Sequence, residues 1–379
     1  MFTVPATFLL YNLLLLFCPM LSHLSDRTDS RWCRLLAYGL LLFFSVVRFD
    51  IGADYLNHSE MFAEKAQLLS YGWGALSVLD LLKPEPLIYL MIFITKDLPM
   101  SYVYVFALIS VTTIIFLYKA FDYYKAHTIG LFVFVVSYIY FETYDWARQG
   151  LAMSIFLYAT RFIGERRPMR FFVFMFMSVL CHYSSVILLP FYFLGRYMPQ
   201  HRLVPVLLAG FLVLMLGAGV AGVFGSMHER ITSLIPFYGQ LYANTKYTQN
   251  GAGTYRTPTY IASMLCFIAV VFMSRPRHAG LAVILTAGAA IYAIAGGNLN
   301  FVRMAWPLTA VRLVLIPLAF QTDDVETYNR TFVRYMFLFL LMIFIFEWVY
   351  IHSNFRDVVP YETIFSDEFA RQIFRIRAY

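Results

Sequence analysis

The run "VPATFLLYNLLLLFCPMLSHL" (4–24) decides the fold class, because no Asp, Glu, Lys or Arg interrupts it. A helix needs about 20 mostly apolar residues to cross the hydrocarbon core of a bilayer, and this run is long enough. Met1–Val4 carries no basic leader ahead of it, so it is expected to stay as a span and not to be cleaved as a signal. Similar runs recur at 35–49, 100–118, 128–143, 146–163, 203–225, 258–274, 279–296, 300–320 and 331–351. Residues 84–95 ("PEPLIYLMIFIT") are apolar but short, and read as a re-entrant or surface segment. Residues 170–195 are interrupted by "CHYSS" (181–185) and by Pro190. One span with a buried His182 and two short spans meeting there both fit.

Composition agrees with these runs. The 379 residues are 60% hydrophobic and 13% charged, against about 25% charged in soluble domains. The expectation is an all-α polytopic integral membrane protein with about twelve transmembrane helices (ten to thirteen) and an outward-facing polar cavity. It forms a single polytopic domain over 1–379, with an extracytoplasmic segment at 50–99, a long outer loop at 226–257 and an extracytoplasmic C-terminal tail at 352–379. The formal charge of +7 then reflects basic cytoplasmic loops, not a nucleic-acid partner. Cys18, Cys33, Cys181 and Cys266 form no C-x-x-C pair, which gives neither a disulfide framework nor a zinc site.

Basic residues set the direction. If 170–195 is a hairpin with its tip outward and 84–95 does not cross, one face collects 15 of the 29 Lys and Arg in short loops. Arg161, Arg166, Arg167 and Arg170 form the densest group. That is the cytoplasmic face by the positive-inside rule, and both termini lie outside.

The opposite face then receives "VVRFDIGADYLNH" (46–58) and, with it, a set of polar groups at helix ends. These are Arg48, Asp50, Asp54, His58, Glu85, Asp145, Arg148, His182, Asn298, Asn300 and Arg303. Arg or Asp at membrane depth costs at least about 2.5 kcal/mol on insertion scales, and such groups mark functional cavities. Each also has a structural reading: Arg48 as an interfacial anchor, Arg303 as a snorkelling side chain, His182 as a hydrogen-bonded core histidine, Asp50 as a solvated loop charge. Read together, Arg48, Arg148 and Arg303 suit an anionic head group, since guanidinium binds phosphate oxygens at two points. Asp54, Glu85 and His182 supply a general acid or base. Tyr and Trp in these segments offer faces for sugar rings. There is no phosphate-cradling Gly-rich loop, no H-E-x-x-H and no G-x-S-x-G, so no metal, nucleotide or other cofactor is expected.

These motifs resemble those of the EpsG-like, O-antigen-polymerase (Wzy-type) membrane proteins. "RFDIGADYLNH" is similar to an R-x-x-x-G-x-D-Y element through Arg48, Gly52, Asp54 and Tyr55. "ARQGLAMSI" (147–155) resembles an R-Q-x-x-A helix start at Arg148, Gln149 and Ala152, and "CHYSSVILLP" (181–190) an H-x-S element at His182 and Ser184. "NLNFVRMAWP" brings a late-helix arginine, Arg303, and "VVPYETIF" (358–365) resembles a closing P-Y element at Tyr361. Two positions depart from the pattern: His58 stands where an aromatic is expected, and Asp145 where asparagine is more usual. Asp145 thereby becomes a candidate charge partner of Arg148.

The resemblance implies polymerisation of lipid-linked repeat units at the outer face of the bacterial inner membrane. Glycan passes from a polyprenyl diphosphate carrier to the non-reducing end of another unit. It implies a metal-independent glycosyltransferase with Asp54, Arg148 and His182 catalytic, and with Arg48, Tyr55, Gln149, Arg303 and Tyr361 binding substrate; Glu85 joins the catalytic set on its chemistry as a carboxylate at the same face. Its partners would be the polyprenyl-diphosphate-linked oligosaccharide, membrane lipids and a chain-length regulator. A glycan ligase using the same donor is the nearest rival. A flippase or exporter would place paired charges at mid-membrane and show similar halves, neither of which this sequence displays.

Overall fold

The computed structural model describes residues 3–72, 85–197, 257–274, 278–294, 299–322 and 324–366. The expected span 203–225, the outer loop 226–256, Asn298 and the tail from 367 lie outside the described residues. The described chain is helical, apart from one isolated antiparallel bridge between Arg48 and Thr363. It divides into two compact units: Met1–Arg161 with Met169–Val186 and Met342–Tyr379, and Phe162–Pro168 with Ile187–Leu341.

In the first unit, α1 (Val4–Thr28) starts at Thr3, whose Oγ1 accepts the Ala6 N–H at 3.3 Å, and ends at Asp29 with φ 53°. α2 (Arg31–Val46) packs against it. There follow α3 (Tyr55–Ser70), α4 (Pro86–Thr95) and α5 (Ser101–Tyr124). Next come α6 (His127–Val136), α7 (Ile139–Asp145), α8 (Ala147–Ala159) and α9 (Pro168–Cys181). Helix α5 lies at the centre, in contact with α2, α3, α4 and α8, and shares with them a core of Phe49, Tyr55, Phe62, Phe106 and Ile155.

Three of the apolar runs end or break before their full length. The run 128–143 is two helices, broken where Tyr138 takes φ 65°. That left-handed residue is held by its hydroxyl bond to the Phe355 carbonyl and by stacking on Tyr350 at 4.4 Å. The run 35–49 stops being helical at Val46, so Arg48 stands beyond the helix. The run 170–195 breaks at His182: α9 ends at Cys181 and a 3-10 turn covers Tyr183–Leu188.

The segment after the last helix is part of the fold. Residues 357–364 run antiparallel to 47–52: Phe49 N–H donates to Glu362 O (3.0 Å), Ile364 N–H to Val47 O (2.9 Å) and Gly52 N–H to Asp357 O (3.2 Å). Tyr361 is fully buried in this strap. Its hydroxyl donates to Phe44 O at 2.5 Å and its N–H to Thr7 Oγ1 at 2.9 Å, while Tyr11 donates to Val358 O at 2.5 Å.

The second unit contains α10 (Phe191–Tyr197), α11 (Thr257–Met273), α12 (Ala279–Ile294), α13 (Leu299–Thr309) and α14 (Arg312–Ala319). α15 (Val325–Phe344) begins there and passes into a π-helical stretch at Ile345–Ile351. α12 meets α13 so closely at Gly288 that a Cβ there would lie 2.6 Å from Leu308 Cβ. Among the described residues, four helices are long and apolar enough to cross a membrane alone: Val4–Thr28, Ser101–Tyr124, Val302–Ala319 and Val325–Ile351. Shorter apolar helices lie at Pro86–Thr95, His127–Val136, Pro168–Cys181 and Ala279–Tyr292.

Removing the Tyr361 ring tests the strap. Tyr361→Ala deletes a fully buried aromatic and should cost about 3–5 kcal/mol. Tyr361→Phe loses one hydrogen bond and should cost about 1 kcal/mol. Thermal unfolding in detergent should rank wild type above Tyr361→Phe and both well above Tyr361→Ala. A wild-type midpoint for Tyr361→Ala would show that the strap does not hold the unit together.

Candidate functional site

The polar residues of the first unit gather around the break between α7 and α8. Trp146 separates these helices, so Asp145 closes one and Arg148 sits in the first turn of the next. Their side chains consequently serve different partners.

Arg148 Nη1 donates to Glu85 Oε2 at 2.5 Å. Glu85 immediately precedes α4, where its backbone carbonyl accepts Ile88 and Tyr89 N–H at 2.9 and 3.0 Å. The other carboxylate oxygen, Oε1, lies 2.8 Å from His182 Nδ1. Glu85 is only 4% exposed, yet the Arg148 and His182 side chains are each 20% exposed. A buried anion therefore holds two cation-capable groups that keep an open edge. Burial alone would raise the Glu85 carboxyl, but Arg148 and then His182 more than offset it and hold it well below the usual carboxylate range. With a carboxylate against Nδ1, that nitrogen is the donor, and in the neutral ring the acceptor is Nε2.

Asp145 is fully buried and faces two ways. Its Oδ1 accepts the Asp54 N–H at 2.8 Å, and its Oδ2 lies 2.9 Å from Arg356 Nη1 in the strap. The expected pairing of Asp145 with Arg148 is thus replaced by two separate pairs, because the helix break turns the two side chains apart. Arg356 carried no mark in the sequence beyond its place two residues before the "VVPYETIF" element. Gly52 makes the Asp54 turn possible. It has φ 102°, and a Cβ there would lie 3.2 Å from Asp145 N, so an L side chain would be strained by its backbone and tightly crowded.

Arg48 is 2% exposed. Its guanidinium donates to the Ser45 carbonyl, reaches Ser110 Oγ at 3.4 Å and lies over the rings of Tyr144 (4.6 Å) and Phe106 (5.1 Å). Among the described residues it has no carboxylate partner. Tyr55 stacks on Phe106 at 4.8 Å, the ring that Arg48 also covers, and Gln149 follows Arg148 in α8 and is buried. Tyr361 lies in the strap, fully buried. Asp50 is exposed and His58 stacks on Phe62. Arg303 is half-buried on α13 in the second unit. Among the described residues no three His, Cys, Asp or Glu side chains are grouped to hold a metal ion.

The clamp on Glu85 has a pH signature. A carboxyl whose folded value is depressed adds stability that is present above its ordinary value of 4.5 and lost as pH falls through the folded value. The gap in unfolding midpoint between wild type and Glu85→Gln should be widest near neutral pH. It should narrow as the medium is acidified below that ordinary value. A gap independent of pH would mean that Glu85 is not held ionised.

A family model described as the EpsG family matches residues 31–363, from the first turn of α2 into the strap. No curated protein and no solved structure matches the chain. The match contains Arg48, Glu85, Arg148, His182, Arg303 and Tyr361, with the geometry around Glu85 and Asp145 inside it. The chain belongs to the EpsG family, multi-pass membrane proteins associated with the polymerisation of surface polysaccharide.

Proposed function

We propose that the protein transfers glycan from a polyprenyl diphosphate carrier onto a lipid-linked repeat unit at the outer face of the bacterial cytoplasmic membrane. The observation that carries this reading is the Arg148–Glu85–His182 contact, a buried carboxylate that orients a histidine and an arginine side by side. The chain would cross the membrane about twelve times, with short helices meeting at polar breaks, and the site would open outward as a polar cavity.

The chemistry assigns a role to each group. His182 Nε2 takes the proton of the acceptor hydroxyl as that oxygen bonds to the anomeric carbon. The anomeric carbon–oxygen bond to the carrier breaks, and the diphosphate leaves with the electron pair. Arg148 meets the negative charge that grows there, and preorganised cations of this kind are a large source of rate. Arg48 binds the same diphosphate, while Asp54 receives the acceptor sugar. Glu85 keeps the His182 ring in the tautomer and direction that proton removal needs. None of these steps uses a metal.

The test is the surface-polysaccharide ladder of a deletion strain complemented with variants at matched expression. His182→Ala should lower polymer by roughly a hundredfold or more, the usual worth of a general base. Arg148→Lys should lose most activity although it keeps the charge, because lysine lacks the planar two-point contact. Asp54→Asn should also lose polymer, whereas Asp50→Asn and His58→Ala should stay near wild type. Normal ladders from both Arg148→Lys and His182→Ala would place the chemistry elsewhere. The product in the deletion strain separates the rivals: single repeat units on lipid A or on the carrier mark a polymerase, and loss of all surface glycan marks a transporter.

Orientation is tested separately. A single cysteine at Ser184, two residues after His182, should react with a membrane-impermeant thiol reagent added outside. Labelling from the cytosolic side alone would put His182 on the wrong face for this reaction.

A further inference from the structure

The C-terminal strap reaches the site through one side chain that the chemistry above does not use. Arg356 Nη1 lies 2.9 Å from Asp145 Oδ2, and the guanidinium covers the Trp146 ring at 4.6 Å. Asp145 Oδ1 accepts the Asp54 N–H at 2.8 Å, so one buried carboxylate joins the strap to the residue expected to meet the acceptor sugar. The next strap residue adds a second tie, because the Asp357 carbonyl accepts the Gly52 N–H at 3.2 Å. Gly52 in turn lies flat against the Asp145 backbone. The 52–54 turn is therefore gripped from both sides.

We propose that Arg356 is a positioning residue: through Asp145 it sets the place of the Asp54 turn, and hence the fit of the acceptor sugar. The inference rests on Asp54 lying in the acceptor site. Three features support it. Asp145 is fully buried, and a buried carboxylate without its cation is strongly unfavourable. The two oxygens of Asp145 are divided between Arg356 and the Asp54 amide, so a change at the first alters the second. Arg356 and Asp357 both have positive φ, at 65° and 52°, a backbone state that non-glycine residues keep only where their contacts enforce it. The planar guanidinium on the Trp146 face also sets Arg356 apart from a simple charge.

The pair predicts a rescue. Arg356→Gln strands the Asp145 carboxylate, and Asp145→Asn strands the Arg356 guanidinium. The double variant D145N/R356Q strands neither, and an amide at 145 still accepts the Asp54 N–H. Initial rates of polymer formation would be measured on purified protein in detergent. The substrate would be lipid-linked repeat unit extracted from membranes of the deletion strain, and unfolding midpoints would be recorded on the same samples. Each single variant should raise the apparent KM for the repeat unit by roughly tenfold, with kcat changed far less, and the double variant should recover most of that loss. A wild-type KM in Arg356→Gln would overturn the proposal. So would a double variant no better than the singles, or losses that follow the unfolding midpoint and leave KM unmoved. His182→Ala is run alongside as the control. If it polymerises normally, the chemical reading falls and the positioning role falls with it, even if the midpoints still couple Arg356 to Asp145. If it is inactive while Arg356→Gln has a wild-type KM, only the positioning role is lost.

Discussion

Glu85 stands at the start of α4, a helix of ten residues with no charged side chain, and its carboxylate is almost entirely removed from solvent. Taking a carboxylate out of water costs several kcal/mol unless cations and donors replace the lost solvation. Here the replacements come from two distant places in the chain, Arg148 and His182. Three helix ends must therefore converge: the start of α4, the start of α8 and the end of α9. The convergence also relieves a local conflict. Arg148 puts a cation in the first turn of α8, where the helix dipole disfavours one, and the Glu85 carboxylate brings negative charge to that same end.

Of the other buried charges in the unit, Asp145 and Arg48 are handled in contrasting ways. Asp145 has a full charge partner in Arg356 and a backbone donor in Asp54. Arg48 has a carbonyl, a hydroxyl and two ring faces. Those groups bond Nη1 and cover the guanidinium plane without neutralising it, and the buried Nε has no hydrogen-bond partner among the described residues. Among the described residues no carboxylate meets Arg48, so an anion that reached it would gain an attraction of the kind Asp145 already has from Arg356. This difference separates a group suited to binding from one suited to holding the site in shape.

Much of this was legible in the sequence, for reasons tied to particular residues. Apolar length marks α1, α5 and the 302–319 and 325–351 helices, because span length and burial both act through local composition. The polar residues at helix ends were also visible, and Glu85, Arg148 and His182 do meet. What the sequence hid was who meets whom. Arg148 lies three residues from Asp145 yet pairs with Glu85, 63 positions away, because Trp146 breaks the helix that would have stacked Asp145 and Arg148 on one face. Nothing local announces that break, nor the one at Tyr138. Tyr138 adopts a conformation unfavourable for tyrosine only because Phe355 and Tyr350 hold it. The pairing of the "VVPYETIF" segment with 47–52 was not legible for a related reason. The segment's value lies in long-range backbone pairing, and a segment reading as a polar tail carries no periodicity to reveal that.

The end of α2 shows why site and fold cannot be varied independently. A helix leaves its last carbonyls without internal partners, and in an apolar setting each must find a donor. Phe43 O takes the Val47 N–H, and Phe44 O takes the Tyr361 hydroxyl. Ser45 O takes the Arg48 guanidinium, and Val47 O takes the Ile364 N–H. One of these four donors is a residue suited to binding an anion and two come from the strap. Arg48 therefore acts twice, as the cap of the helix it follows and as a cation beside Tyr144 with no carboxylate partner among the described residues. Replacing it would open the helix end as well as remove the charge. The same economy recurs at Asp54, whose N–H locks the turn to Asp145 while its side chain stays partly open to solvent. Helix ends already require polar partners, and so ionisable groups can be kept there at the lowest added cost to an apolar fold.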